Sequence, residues 1–197
     1  MTFNNLDTLS FRHKVLFAVL ACERMLPSYI HFHNDEKWGS VTALNDTLKF
    51  LYTFTLNGHI DTQIIEKLKI DVEQNAPDLD EFSSESASYA LDTCITYYET
   101  LEYAKTKNNT HLSNVVESLL ATVDMFIQEQ DDLDPSDIHL EEKISKNKYM
   151  MNEIERQNTI LSVLSKQELI TTELIETLRR LNLSLPLIEL NKLNAKT

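Results

Sequence analysis

The chain has 197 residues, 42% hydrophobic and 25% charged, the composition of a folded protein rather than a disordered one. Its two glycines, Gly39 and Gly58, exclude the glycine-rich loops that cradle a dinucleotide or a phosphate, which need several glycines close together. A balance of 31 acids against 18 bases gives a net charge of −13, which repels nucleic acid and anionic membranes.

A chain of this length buries roughly 70% of the surface its unfolded form exposes, so it needs neither disulfide nor metal to fold. The predicted elements are all helical. The first runs from Thr8 or Ser10 to about Leu26. Its apolar residues, among them Phe11, Val15, Leu16, Val19, Leu20, Cys22 and Met25, cover most of its circumference, the mark of a central helix. Pro27 either opens a short second helix, Ser28 to about Glu36, or kinks the first. No run approaches the roughly 20 apolar residues of a membrane span. Arg12-His13-Lys14 before the apolar run and Cys22 after it also follow the order of a bacterial lipoprotein signal. The bulky Leu20 near the cleavage point favours a buried helix in a cytoplasmic protein instead.

After Gly39 a long helix carries Val41, Leu44, Leu48 and Leu51 and stops at Asn57-Gly58. Asp61 caps the next, with Ile64, Ile65, Leu68 and Val72 inward. Asn75 to Ser84 is a loop. Ser83 or Ser84 then caps a helix with Ala87, Ala90, Leu91, Cys94, Ile95, Tyr98 and Leu101 along one face. The helix after Asn109 has the cleanest 3.6-residue period, from Leu112 through Leu119 and Leu120 to Ile127. Asp134-Pro135 reads as a cap and first helical position. Two helices follow, about Lys146–Leu164 and Lys166–Leu181, with Ser165 and Glu168 as a capping box between them. The apolar tail, residues 182–197, is expected to lie on the bundle or on a partner as an extended stretch and a short helical turn. The fold class is all-α: a single domain over residues 1–197, a bundle of seven or eight helices with short loops.

No residue carries a catalytic assignment, and no cofactor is implied. His31 with Asp35, and His33 with Glu36, have helical spacing, but His31 and His33 point to different sides, so no metal is assigned. His139 with Glu142 is weaker still. Cys22 and Cys94 lie among apolar residues and read as inert buried thiols.

Charge carries more information. Residues 70–142 hold 18 acids against two bases, Lys105 and Lys107, while the flanking segments nearly balance. Asp131, Asp132, Asp134, Asp137, Glu141 and Glu142 form its densest part and are the expected partner-binding residues, with the aspartates in a loop and the helix start after it. Such a field steers a basic protein toward its target.

At Cys22-Glu23-Arg24-Met25, followed by Pro27, Tyr29 and Phe32, and again at Ala90-Leu91-Asp92-Thr93-Cys94, the chain resembles the YjaG family of bacterial proteins, a domain of unknown function. The resemblance implies an all-helical cytosolic fold and no particular activity. The leading functional expectation is a non-enzymatic interaction protein whose acidic segment engages a basic protein, such as an immunity-type inhibitor of a basic toxin domain. The alternative is an enzyme or small-molecule binder with a site near Glu23, Arg24, His31 and Asp92. A structural homodimer is a third reading.

Overall fold

The structure, a computed structural model, describes residues 6–193. The ends of the expected domain and tail, residues 1–5 and 194–197, lie outside the described residues. Among those described there are eight α-helices, one closing 3-10 turn and no strand: α1 (Phe11–Glu36), α2 (Val41–Asn57), α3 (Thr62–Glu73), α4 (Glu85–Thr106), α5 (Asn109–Gln130), α6 (Leu140–Lys146), α7 (Lys148–Leu164) and α8 (Thr172–Asn182).

The starts follow from capping chemistry. Ser10, Ser40, Asp61, Asn108, Asn147 and Thr171 each place a side-chain oxygen on a free N–H of the first turn. Several ends use the left-handed conformation, at Lys37 (φ 55°), Gly58 (φ 71°) and Lys107 (φ 59°). At Gly39 (φ 78°) a Cβ would sit 2.1 Å from the Tyr29 Oη. That hydroxyl donates to the Asn75 carbonyl (3.0 Å) and accepts from the Ser40 N–H (3.2 Å), so the glycine lets one phenol tie α1 to two loops.

α1 forms the axis of the bundle. Every residue from His13 to Leu26 is buried, and α2, α4, α5, α7 and α8 all pack against it. By length and composition α1 could cross a membrane, contrary to expectation, but 83% of its most apolar window is buried inside the molecule. The helix runs unbroken past Pro27, which lies on an exposed position. The carbonyl of Glu23, four residues earlier, loses its helical donor there.

The principal partner of α1 is α4, and its buried face differs from the expected one. Ile95 is exposed, whereas Tyr89, Thr93, Thr96, Tyr97 and Thr100 are buried. Thr93, Thr96 and Thr100 donate to the carbonyls four residues earlier (2.8–2.9 Å), which satisfies the hydroxyls and leaves their methyls for packing. Thr93 also donates to the Met25 carbonyl of α1 at 3.1 Å.

Two other starts differ from expectation. No helix begins at Asp134-Pro135, because the Asp134 carboxylate closes a turn by accepting from the Ser136 N–H (2.8 Å) and hydroxyl (2.7 Å). Ser165 and Glu168 form no capping box: the Ser165 hydroxyl donates to the Ser162 carbonyl of α7 (3.1 Å), and α8 starts at Thr171. Beyond α8 the chain runs back over the bundle, burying Leu187, Ile188 and Leu193 and leaving Leu183 and Leu185 half exposed.

Candidate functional site

Two regions gather polar groups. The first is buried. Glu23 and Arg24 are neighbours on α1 and therefore point about 100° apart around the helix. Glu23 accepts from the Tyr52 hydroxyl of α2 (2.9 Å) and from Arg179 Nε of α8 (2.6 Å), and the Arg179 guanidinium lies over the Tyr52 ring at 5.2 Å. Arg24 turns to α7 and α8. Its Nε donates to Glu153 (2.8 Å), and its Nη1 donates to the carbonyls of Asn182 (2.6 Å) and Leu185 (2.8 Å), capping the C-terminus of α8. Arg156 donates to the same Glu153 oxygen (3.0 Å), and Gln157 Nε2 donates to the other (3.2 Å). The Asn182 amide closes the set on the Leu20 carbonyl (2.8 Å).

Each of these residues is tied to a neighbour, so the cluster works as a clamp that holds α2, α7, α8 and the tail on α1. Burial pushes the Glu153 carboxyl above its ordinary range against the pull of Arg24, and burial and the Glu23 charge push the Tyr52 phenol up. Arg12, the second residue of α1, acts similarly, donating from Nε to the Thr55 carbonyl near the end of α2 (3.0 Å).

The other residues considered for a pocket do not join this cluster. Asp92 faces α5, where Thr122 donates to it at 2.9 Å, and burial raises its pKa. His31 lies 3.3 Å from Asp35, His33 contacts the Trp38 carbonyl at 2.9 Å, and His139 is 3.7 Å from Glu142. Among the described residues no three His, Cys, Asp or Glu side chains come together as a metal-holding group. Cys22 and Cys94 are buried and unbridged, and burial pushes both thiols up to about 12.

The second region is one end of the bundle. α4 and α5 form an antiparallel hairpin turning at Lys107, so the start of α4 lies beside the end of α5, where the Tyr89 hydroxyl donates to Glu129. The loop before α4 and the loop after α5 therefore share a pole. The rings of Phe32 and Phe82 (5.2 Å between centroids) bring the end of α1 to the same place.

Of the expected partner-binding residues, most are engaged locally. Asp131 accepts from Asn147 Nδ2 (2.9 Å), Asp134 from Ser136, Asp137 from Lys143 Nζ (2.6 Å) and the His139 N–H (2.9 Å), and Glu142 from Lys146 Nζ (2.5 Å). Those bonds hold Asp134 and Asp137 below the usual carboxylate range. Asp132, at φ 47°, and Glu141 are exposed. Sequence reading missed the other loop. Asp78, Asp80, Glu81 and Glu85 are exposed there, and among the described residues none of them has a salt bridge to a base. Each loop also presents an aliphatic side chain: Ile138 is 91% exposed and Leu79 46%.

A family model described as a protein of unknown function, DUF416, matches residues 1–184. The chain belongs to the DUF416 family. A crystal structure of a DUF416 family protein from Shewanella baltica OS155 has the same fold, with a TM-score of 0.85 and 25% sequence identity over 95% of this chain and 97% of that one. No curated protein matches.

Within this DUF416 chain, the stretch Cys22–Met25 supplies both halves of the buried clamp, and Ala90–Cys94 supplies Asp92 and the Thr93 contact to α1. The polar residues of both stretches thus have structural partners in hand. The family match ends just before Leu185, whose carbonyl Arg24 holds.

Proposed function

We propose that this DUF416 protein, a YjaG-like bacterial member working in the cytoplasm, is a non-enzymatic interaction module that engages a basic protein through its acidic pole. An immunity-type inhibitor seated on a basic toxin domain is the concrete form of this reading. One observation supports it above others: two acidic loops meet at one end of the bundle, and each carries an exposed aliphatic side chain, Leu79 or Ile138, among its carboxylates. Long-range charge accelerates encounter with a cationic surface, and a bare apolar side chain gives that encounter a residue to bury. Isolated exposed apolar residues are common on proteins; the place of these two among the carboxylates of the two loops gives them weight here.

The test is affinity capture from the native cell with mass spectrometry, followed by binding measurements on the recovered protein. The reading expects a basic partner whose binding weakens at least tenfold with Ile138→Ser. A partner that is acidic, or one indifferent to Ile138→Ser and to neutralised acids, contradicts it.

A second reading rests on a groove of about 410 Å³ between α2 and α8, lined by Lys49, Glu176, Tyr52 and Arg179 among others, the last two of which bond Glu23. Its size suits a small ligand. A metabolite screen by thermal shift, with Arg179→Ala as control, would reveal one.

A further inference from the structure

Between α1, α5 and α7 lies a small cavity of about 10 Å³. One wall is apolar, formed by Phe17, Val115 and Leu119 among others, and the other is polar, formed by Arg24, Glu153, Gln157 and Asn182. Gln157 is only 4% exposed, and its Oε1, a buried acceptor, has no hydrogen-bond partner. The orientation of the amide is fixed by its other end: Nε2 donates to Glu153 Oε1 at 3.2 Å, and a flipped amide would set oxygen against carboxylate.

We infer that this cavity is a hydration site that binds one water molecule, which donates to Gln157 Oε1. Three properties narrow the ligand to water. The orphan atom is an acceptor, so the ligand must be a donor, which excludes a halide or other simple anion. Two guanidiniums, Arg24 and Arg156, share the single Glu153 carboxylate, so the cluster carries a surplus positive charge that repels ammonium or a metal cation. The space matches about one water on the same measure and no larger group. A buried acceptor left dry is disfavoured, and a water here meets several polar neighbours on one wall, the usual setting of an internal water. The water completes the clamp: it satisfies the one open position of a network that otherwise closes on itself.

The test is a crystal structure of the full chain at about 1.5 Å, with magnetic relaxation dispersion of water in solution. The inference expects a density peak about 2.6–3.2 Å from Gln157 Oε1 and a long-lived internal water in the dispersion profile. Gln157→Leu should lose both. The parent protein alone decides the matter if that variant does not fold. An empty cavity, a rotated Gln157 whose oxygen takes a protein donor, or an anomalous peak at the site after a bromide soak would each overturn it.

Discussion

Arg24 concentrates several structural roles in one side chain, because its planar fork reaches a carboxylate and two carbonyls at once. Arg24→Ala strips the end of α8 of its cap and leaves buried Glu153 with Arg156 as its one cation, which should cost about 3–5 kcal/mol in urea unfolding. Arg24→Lys keeps the charge but not the fork, so it should fall between and expose the tail around Leu185 to limited proteolysis. Equal stability of all three proteins would remove the clamp from the account. Asp92 gives a pH prediction. Burial raises its folded pKa above the unfolded value, so the folded state binds that proton more tightly, and its contribution to stability rises as pH falls through the folded pKa. Asp92→Asn, which can still accept from Thr122, should therefore be as stable as the parent or more so at pH 7 and lose that rise. Unfolding midpoints between pH 7 and pH 4 check the sign. The two cysteines should resist a thiol reagent in the native protein and react on denaturation; fast native labelling of Cys22 would contradict its burial. The sequence reading named Glu23 and Arg24 as part of a possible site, but not Glu153 or Arg179, their partners. Nothing local marks a residue whose partner lies more than a hundred positions away.

At the scale of the helices, α5 was legible because its core face consists of aliphatic side chains, whose period can be counted directly. Leu119 is 2% exposed and Glu117 lies on the solvent side. Leu119→Ala should cost about 2–5 kcal/mol by enlarging the cavity it lines, and Glu117→Ala less than about 0.5 kcal/mol; equal denaturant midpoints would refute the register. α4 was less legible. Its face uses threonines and tyrosines, whose polarity conceals burial; the threonine hydroxyls bond the helix itself and Tyr89 bonds a carboxylate. Pro27 left two outcomes open in the sequence, and the structure has one long helix with Pro27 at an exposed position. The sequence reading put the cap of the last helix at Ser165, but the Ser165 hydroxyl is bonded to α7 and the helix starts at Thr171.

At the scale of the molecule, the all-α class and the location of the excess charge in residues 70–142 could be read from the order of residues along the chain. The distribution of that charge in space could not. Asp78 and Asp134 are 56 positions apart in the sequence and share a pole only through the α4–α5 hairpin. The sequence reading singled out residues 131–142, where local bonds already engage most carboxylates, and did not single out 78–85, where no carboxylate has a salt bridge to a base among the described residues. Two variants separate these loops: one carries Asn or Gln at Asp78, Asp80, Glu81 and Glu85, the other Asn at Asp131, Asp132, Asp134 and Asp137. Both should fold with little change in thermal stability, because amides keep the local acceptors and surface ion pairs contribute little. The deciding measurement is the association rate of the captured basic partner with the parent and both variants across a salt series. The account predicts that the parent rate falls steeply with salt, that the 78–85 variant is slower and less salt-dependent, and that the 131–137 variant is affected less. Rates and salt slopes equal in all three would mean that the acidic pole keeps the protein soluble and does not recruit a partner.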